Sequence, residues 1–261
     1  MSDLLQVMVR AARLAGDGLR RDFERAREFV VREKGASDFV SNADLASQAT
    51  IAAELRAAFP DAALVLEEDL ASHRLAGEVS FFVDPLDGTT NFLHAIPHFS
   101  ISIACQRAGE LEAGVVFDPI KQELFAAERG VGAWLNERAV RVSSETRFDH
   151  AVIGTGVPHR GRPAHAEYLR VLPRVMADVA GIRRLGSAAL DLAYVAAGRF
   201  EAFFESHLAP WDIAAGVVLV RAAGGVVMQP NGCSFDLAAG HVLAGSEQIA
   251  PELGARLVGL V

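Results

Sequence analysis

Cysteine is nearly missing: Cys105 and Cys233 are the only two in 261 residues. Two cysteines so far apart build no disulfide framework, and a reducing compartment is the simpler reading. Long apolar runs are missing as well. No stretch approaches the ~18 uncharged apolar residues that a bilayer-spanning helix needs. The first residues, MSDLLQVMVRAARLAGDGLRRDF, scatter acids and arginines where a signal peptide has an unbroken apolar segment. These absences predict a cytoplasmic protein that does not engage a membrane. Positive charge is in deficit, with 25 Lys and Arg against 33 Asp and Glu and a formal net charge of −8. That field repels nucleic acid and anionic lipid as general partners. An anionic substrate then needs a cation or oriented N–H groups to offset it. What the chain does have is apolar residues, 51% of the total, enough for a sizeable core in one large domain or two modest ones.

Periodicity organises these residues. Leu4, Leu5, Met8, Ala11, Ala12, Ala15 and Leu19 repeat at helical spacing and predict an amphipathic first helix with its arginines outward. Ser41-Asn42-Ala43-Asp44 is helix-start chemistry. Leu45, Ala49, Ala52, Leu55 and Phe59 line one face of the helix that follows, which Pro60-Asp61 ends. Residues 63–66 and 79–83 read as buried strands, and both end in carboxylates: Glu67-Glu68-Asp69 after the first, Asp84 after the second. Residues 99–107 and 111–117 form a hairpin about Ala108-Gly109-Glu110, and 124–127, 133–135 and 139–142 continue the antiparallel pattern. The polar stretch 143–150 marks a boundary between an N-terminal half, 1–148, and a C-terminal half, 149–261. Beyond it, strands are expected at 151–154, 200–204 and 226–228, and helices at 165–179, 187–197 and 213–223. Helices mixed with antiparallel strands imply a layered α/β (α+β) architecture.

The most informative string is Asp84-Pro85-Leu86-Asp87-Gly88-Thr89-Thr90-Asn91-Phe92. Proline fixes the backbone between two carboxylates at a strand end, so that both, with the Leu86 carbonyl, aim into one space. Gly88 lets the backbone approach a ligand. Thr89, Thr90 and Asn91 suit a helix start, whose N–H groups favour an anion such as phosphate. Taken alone, the string reads first as an Asp-Gly turn with a helix cap, because turn chemistry is enough to explain it. Glu67, at the end of the preceding strand, and Asp212, opening an apolar helix after Pro210-Trp211, add two more acids; alone, Asp212 reads as a cap. Four gathered acids repel one another unless a cation lies between them, and hard Mg²⁺ prefers such oxygens. Zinc prefers histidine or cysteine, but Pro97 interrupts the helix that would align His94 and His98, so both histidines read as capping or packing residues.

These segments together resemble the inositol monophosphatase family. Asp84–Phe92 is similar to its metal-binding signature. Trp211-Asp212-Ile213-Ala214-Ala215-Gly216, with Ala223-Gly224-Gly225 downstream, looks like its second signature. Glu67-Glu68 resembles the acidic pair before the first signature, and the segment from Lys34 and Gly35 to Asp44 resembles an upstream metal-side segment. Gly186-Ser187-Ala188-Ala189-Leu190-Asp191 and Phe203-Phe204-Glu205 resemble the substrate-side elements. The match covers nearly the whole chain and looks closest to the bacterial inositol-1-monophosphatase branch.

The resemblance implies a layered α-β-α-β-α sandwich of the sugar-phosphatase type. It also implies Mg²⁺, a small phosphorylated polyol as substrate, sensitivity to lithium and a homodimer. Glu67, Asp84 and the Leu86 carbonyl would hold a first metal; Asp84, Asp87 and Asp212 a second. Asp44 would act from the edge of a third, weaker position. Glu67, Thr89 and Asp44 carry the catalytic roles. Gly88 and Thr89 would bind phosphate, and Ala188, Glu205 and Asp212 would face the alcohol, with Glu205 just after a strand.

The implied reaction is hydrolysis of myo-inositol 1-phosphate by metal-activated water. Histidinol phosphate, fructose 1,6-bisphosphate and a phosphoadenosine nucleotide remain alternatives. So does a binding role of the kind bacterial members play in transcription antitermination, with Arg183-Arg184 as a contact surface. The sequence departs from the family at Leu66, Asp69, Ser206-His207 and Gln229, none of them a proposed ligand; His207 and the segment 155–163 bear on substrate choice. An aspartate-nucleophile phosphatase needs its two aspartates two apart, whereas Asp84 and Asp87 are three apart.

Overall fold

The computed structural model describes residues 1–24, 32–34, 38–40, 42–69, 78–158 and 164–260. Gly35, Ser41 and the 159–163 part of the segment 155–163 fall outside that range. Helix α1, Asp3–Phe23, buries the predicted stripe, and the Ser2 hydroxyl caps it by accepting from the Leu5 N–H at 3.2 Å. The strand pair β1 (Arg32–Lys34) and β2 (Asp38–Val40) leads to α2, Asn42–Ala58.

A seven-stranded sheet follows in chain order: β3 (Ala63–Leu66), β4 (Val79–Asp87), β5 (Ser100–Arg107), β6 (Glu110–Asp118), β7 (Glu123–Glu128), β8 (Gly132–Leu135) and β9 (Arg138–Ala139). A short helix α3, Thr89–Leu93, joins β4 to β5. The β3–β4 pair is parallel and the other pairs are antiparallel. Alternation along the strands turns Phe81, Val83, Ile101, Ile103, Val115 and Phe117 toward α1 and α2. Phe82, Ala104, Val116 and Phe125 turn the other way, toward α5 (Ala188–Ala196) and α6 (Pro210–Ala222).

Helix α5 is buried at every position, and α6 from Ile213 to Val220, as expected of a helix that is apolar all round. Their far side meets a five-stranded sheet in the order β11 (Gly181–Arg183), β10 (Val152–Thr155), β12 (Ala202–Ser206), β14 (His241–Gly245), β13 (Val226–Met228). Helices α4 (His165–Met176) and α7 (Ile249–Arg256) close the outer face against Ile153, Phe204 and Leu243. The layers are therefore α-β-α-β-α, as the family resemblance implied.

Several elements differ in extent. The strand expected at 139–142 keeps only Arg138–Ala139, because Val142 N–H leaves the sheet to donate to the Ala223 carbonyl at the end of α6. The helix expected at 165–179 stops at Met176, where Ala177 N–H closes on the Pro173 carbonyl and the chain turns toward β11. The strand expected at 200–204 lies two residues later. Glu205 is consequently inside β12, paired with Val242, and not beyond a strand end; β14 supplies the partners that extend it. Strands β11 and β14 and helix α7 had no counterpart in the sequence reading. Among the described residues no helix is long and apolar enough to cross a membrane.

Candidate functional site

The site forms where β3 ends beside β4, which runs on through Asp84 to Asp87 instead of stopping at residue 83. Parallel pairing sets Leu66 opposite Val83, and Glu67 N–H donates to the Val83 carbonyl at 3.2 Å, so Glu67 stands next to Asp84. The β4–β5 register shifts between Asp84 and Asp87, and this irregularity turns the two aspartates of the string to one place. Asp84 is 2% exposed, and its Oδ1 accepts from Leu86 N–H at 2.9 Å. Leu86 is buried, and its carbonyl accepts from the Thr89 hydroxyl at 3.0 Å. Gly88 holds φ 98°, the left-handed region, as the residue before α3. Its neighbours are the His98 carbonyl, Phe99 and the Gly186 carbonyl, each 3.2–3.3 Å from where a β-carbon would lie.

Three other elements dock onto this corner through serines. From α2, the Ser47 hydroxyl donates to the Pro85 carbonyl at 2.8 Å, and Gln48 Oε1 accepts from Glu68 N–H at 3.0 Å; buried Asp44 lies one turn before Ser47. From β5, Ser102 sits opposite Asp84 and its hydroxyl donates to the Trp211 carbonyl at 3.0 Å, drawing in the start of α6 and with it Asp212. Asp212 is not the N-cap residue that it reads as alone: the N-cap is Ala209, and Asp212, at the third position of α6, accepts from Ala209 N–H through Oδ2 at 2.8 Å. From α5, the Ser187 hydroxyl and Ala189 N–H donate to Asp87 Oδ2 at 2.6 and 2.8 Å.

The electrostatics of the corner are those of crowded acids. Burial pushes Glu67 from 4.5 up to about 8; a hydrogen bond with Asp84 works against this, and Glu68, Asp44 and Asp87 add to it. Asp84 is held well above 3.8, first by burial and then by the charges of Glu67, Asp87 and Asp212. Burial takes Asp87 to about 6, restrained by Ser187, the Ala189 and Ala188 N–H groups and the Arg184 charge. Among the described residues no three His, Cys, Asp or Glu side chains stand in ready ligand geometry. One oxygen of each aspartate is turned to an N–H or hydroxyl of the protein. The donors are nevertheless all hard oxygens, close enough to raise one another's proton affinity, and that chemistry fits a hard divalent cation.

Of the two histidines, His94 is the C-cap residue of α3 and His98 is partly buried. His94 is exposed at the end of α3. His98 Nδ1 lies 3.3 Å from Lys121 Nζ, and burial lowers its pKa to about 4.

The substrate-side residues lie around the opening of α5. Ala188 is its first residue, 8% exposed, and Glu205 is partly buried on β12. Glu205 also borders a cavity of about 50 Å³, distinct from the acidic corner and walled by Gly156, Val157, Tyr168, Phe204 and His207 among others. Sequence reasoning missed Ser47 and Ser102, read Asn91 only as helix-start chemistry, and named Ser187 only within the substrate-side segment. The Asn91 amide donates to the His98 and Leu185 carbonyls at 2.7 and 2.9 Å and ties the phosphate-side turn to the α5 approach. Ser47 and Ser102 carried no sequence signal, whereas Ser187 carried one as a serine directly before an apolar helix. Asp191, 1% exposed on α5, closes the segment that resembles a substrate-side element but had no role of its own in the sequence reading. Burial raises its pKa well above 3.8, with Glu205 and Asp87 adding to it.

Comparison with known proteins places this geometry. The model of the inositol monophosphatase family matches residues 1–260. The chain is 50% identical over 252 residues to an inositol-1-monophosphatase of Rhizobium meliloti, covering 97% of this chain and 95% of that protein. It is 45% identical over 250 residues to the Nus factor SuhB of Pseudomonas aeruginosa, covering 94% and 92% respectively. The fold superposes on the crystal structure of the extragenic suppressor protein suhB from Bartonella henselae with a TM-score of 0.94 at 46% identity, covering 98% of this chain and 99% of that one. On this footing the chain belongs to the inositol monophosphatase family, and it is a phosphatase.

Proposed function

We propose that this phosphatase is Mg²⁺-dependent and hydrolyses myo-inositol 1-phosphate to inositol and phosphate. The observation that carries the reading is the crowding of Glu67, Asp84, Asp87 and Asp212 on one corner, where the charges of Glu67, Asp87 and Asp212 raise the proton affinity of Asp84, and that of Asp87 raises the affinity of Glu67. Glu67, Asp84 and the Leu86 carbonyl would hold one ion, and Asp84, Asp87 and Asp212 a second, with Asp44 at the edge of a third. Bound Mg²⁺ neutralises phosphoryl oxygens, acidifies a water and stabilises the leaving alkoxide.

The chain's own residues then have defined tasks. The Gly88 and Thr89 N–H groups receive phosphate oxygens. The Thr89 hydroxyl, beside the Leu86 carbonyl, orients the attacking water, and the Glu67 carboxylate accepts its proton. Ser187 and Ala189 keep Asp87 from swinging away. Ala188, Glu205 and Asp212 face the alcohol, and the Glu205 carboxylate accepts hydrogen bonds from hydroxyls while repelling a second phosphate. Attack is in line and direct, without a phosphoenzyme. On this reading residues 1–148 bring most of the ligands and residues 149–261 bring Asp212 and the substrate side. Lithium, on the same reading, would inhibit at the position held by Asp84, Asp87 and Asp212, and Ca²⁺ would inhibit by competing for the same carboxylate oxygens.

Phosphate release from a panel tests the substrate: myo-inositol 1-phosphate, histidinol phosphate, fructose 1,6-bisphosphate and a phosphoadenosine nucleotide. Inositol phosphate should be turned over best. Preference for another ester would overturn the polyol assignment and leave the metal-dependent phosphatase standing.

The 45% identity to a protein named a Nus factor favours a second role, binding within transcription complexes, for which exposed Arg183 and Arg184 offer a surface. Asp84→Asn separates the two, since it removes turnover and leaves that surface intact.

A further inference from the structure

Strand β10 ends at Thr155, which pairs with Phe204 on β12; the next residue along each strand is Gly156 and Glu205. Gly156 is buried, and its φ lies outside the left-handed region. No turn requires a glycine there. What requires it is space: a β-carbon on Gly156 would fall inside the van der Waals envelope of Glu205 Cδ, Oε1 and Oε2. The Glu205 carboxylate therefore lies over the bare backbone of Gly156. Gly154, two residues earlier, faces the Phe200 and Phe203 rings, 2.9 and 3.3 Å from its β-carbon position. Those rings are fixed in the core, whereas Glu205 ends in a flexible side chain that can be displaced. The segment itself is held in place, because Thr155 Oγ1 bonds the Gly156 carbonyl at 3.1 Å and meets the Tyr168 hydroxyl at 3.4 Å.

We propose that Gly156 is a specificity-determining residue. By carrying no side chain it fixes where the Glu205 carboxylate stands, and the cavity bordered by Val157, Tyr168, Phe204 and His207 takes the part of the alcohol farthest from the phosphate. The inference rests on the reading of Glu205 as facing the alcohol. A space of about 50 Å³ holds a group the size of one or two hydroxyls, given that a water occupies about 30 Å³ of liquid. Its aromatic and aliphatic walls and one carboxylate suit a neutral, hydroxyl-bearing ring edge. Any side chain at Gly156 moves the acceptor away from that edge and acts only through Glu205.

The test is a double-mutant cycle on the full chain with Mg²⁺: wild type, Gly156→Ala, Glu205→Ala and the double variant. The readout is the ratio of kcat/KM for myo-inositol 1-phosphate to that for p-nitrophenyl phosphate. Gly156→Ala should lower this ratio about tenfold, mainly through KM, as expected for a displaced hydrogen bond to a charged group. In the Glu205→Ala background it should change nothing further, since the group it displaces is gone. The inference is overturned if Gly156→Ala leaves the ratio at the wild-type value, or if its effect persists undiminished without Glu205. If the wild type prefers another alcohol phosphate, the inositol reading fails, and the same four proteins assayed on that ester decide the role of Gly156 on its own.

Discussion

Asp84 is the residue on which the site turns. It is almost fully buried, bonded to its own turn at Leu86, and surrounded by Glu67, Asp87 and Asp212. This crowding has a measurable sign. A carboxyl group whose folded pKa lies above its unfolded value binds its proton more tightly when folded. The stability this gives is complete below the unfolded values, 4.5 for Glu67 and 3.8 for Asp87, and is lost as pH rises through about 8 and about 6. In the presence of a chelator, Tm should therefore fall between about pH 5 and pH 8, and saturating Mg²⁺ should raise Tm more at the upper end, because binding requires the ionised acids. A chelated protein whose Tm rises over that interval would refute the crowding. At this scale the sequence displayed the acids, because Asp84 and Asp87 share one contiguous string. It did not display what holds them. Ser187 lies 100 residues from Asp87 and Ser102 lies 109 from Trp211, so these contacts exist only once both sheets are assembled.

At the scale of elements, α5 does two things with one residue. The Ser187 hydroxyl accepts from Leu190 N–H at 3.3 Å as the helix cap and donates to Asp87. Ser187→Ala should cost about 1 kcal/mol as a lost cap, and a domain of this size then loses roughly 2–4 °C in Tm. It should also raise the Mg²⁺ concentration needed for half-maximal activity, while Ser187→Thr restores both. A variant that loses Tm with an unchanged Mg²⁺ requirement would limit Ser187 to capping. Helices α1, α5 and α6 were legible because an apolar face or an all-apolar run is a strong local pattern. Helix α7 was not, since Pro251 and Gly254 interrupt its eight residues. The two-residue misplacement of β12 has a tertiary cause: Glu205 and Ser206 are polar, and only pairing with Val242 and His241 makes them strand.

Across the whole molecule, α5 and α6 form a middle layer that both sheets need. One cluster of buried side chains joins Phe82, Val116 and Phe125 of the first sheet to Phe203, Val242 and Ala244 of the second through these helices. Leu192, 0% exposed on α5, belongs to that cluster. Leu192→Ala should cost about 2–5 kcal/mol and keep a single unfolding transition by both circular dichroism and calorimetry; two separated transitions would contradict a shared layer. The layered class was readable from the mixture of patterns along the chain. The order β11-β10-β12-β14-β13 was not, because it mixes parallel and antiparallel neighbours and includes two strands of three residues.

The same shared layer brings Asp212 from α6 to acids on the first sheet, so the central claim concerns that junction: the acidic corner is a cation site that carries the phosphatase. The most direct measurement is phosphate release from myo-inositol 1-phosphate as free Mg²⁺ is raised from chelated buffer to saturation, for the wild type and for Asp84→Asn and Asp212→Asn. The wild type should be inactive in chelator and rise to a plateau with Mg²⁺. Both variants, folded by circular dichroism, should stay at least about a hundredfold lower throughout, as removal of a metal ligand would impose. Full wild-type activity in chelator, or a variant that reaches the wild-type plateau, would contradict it.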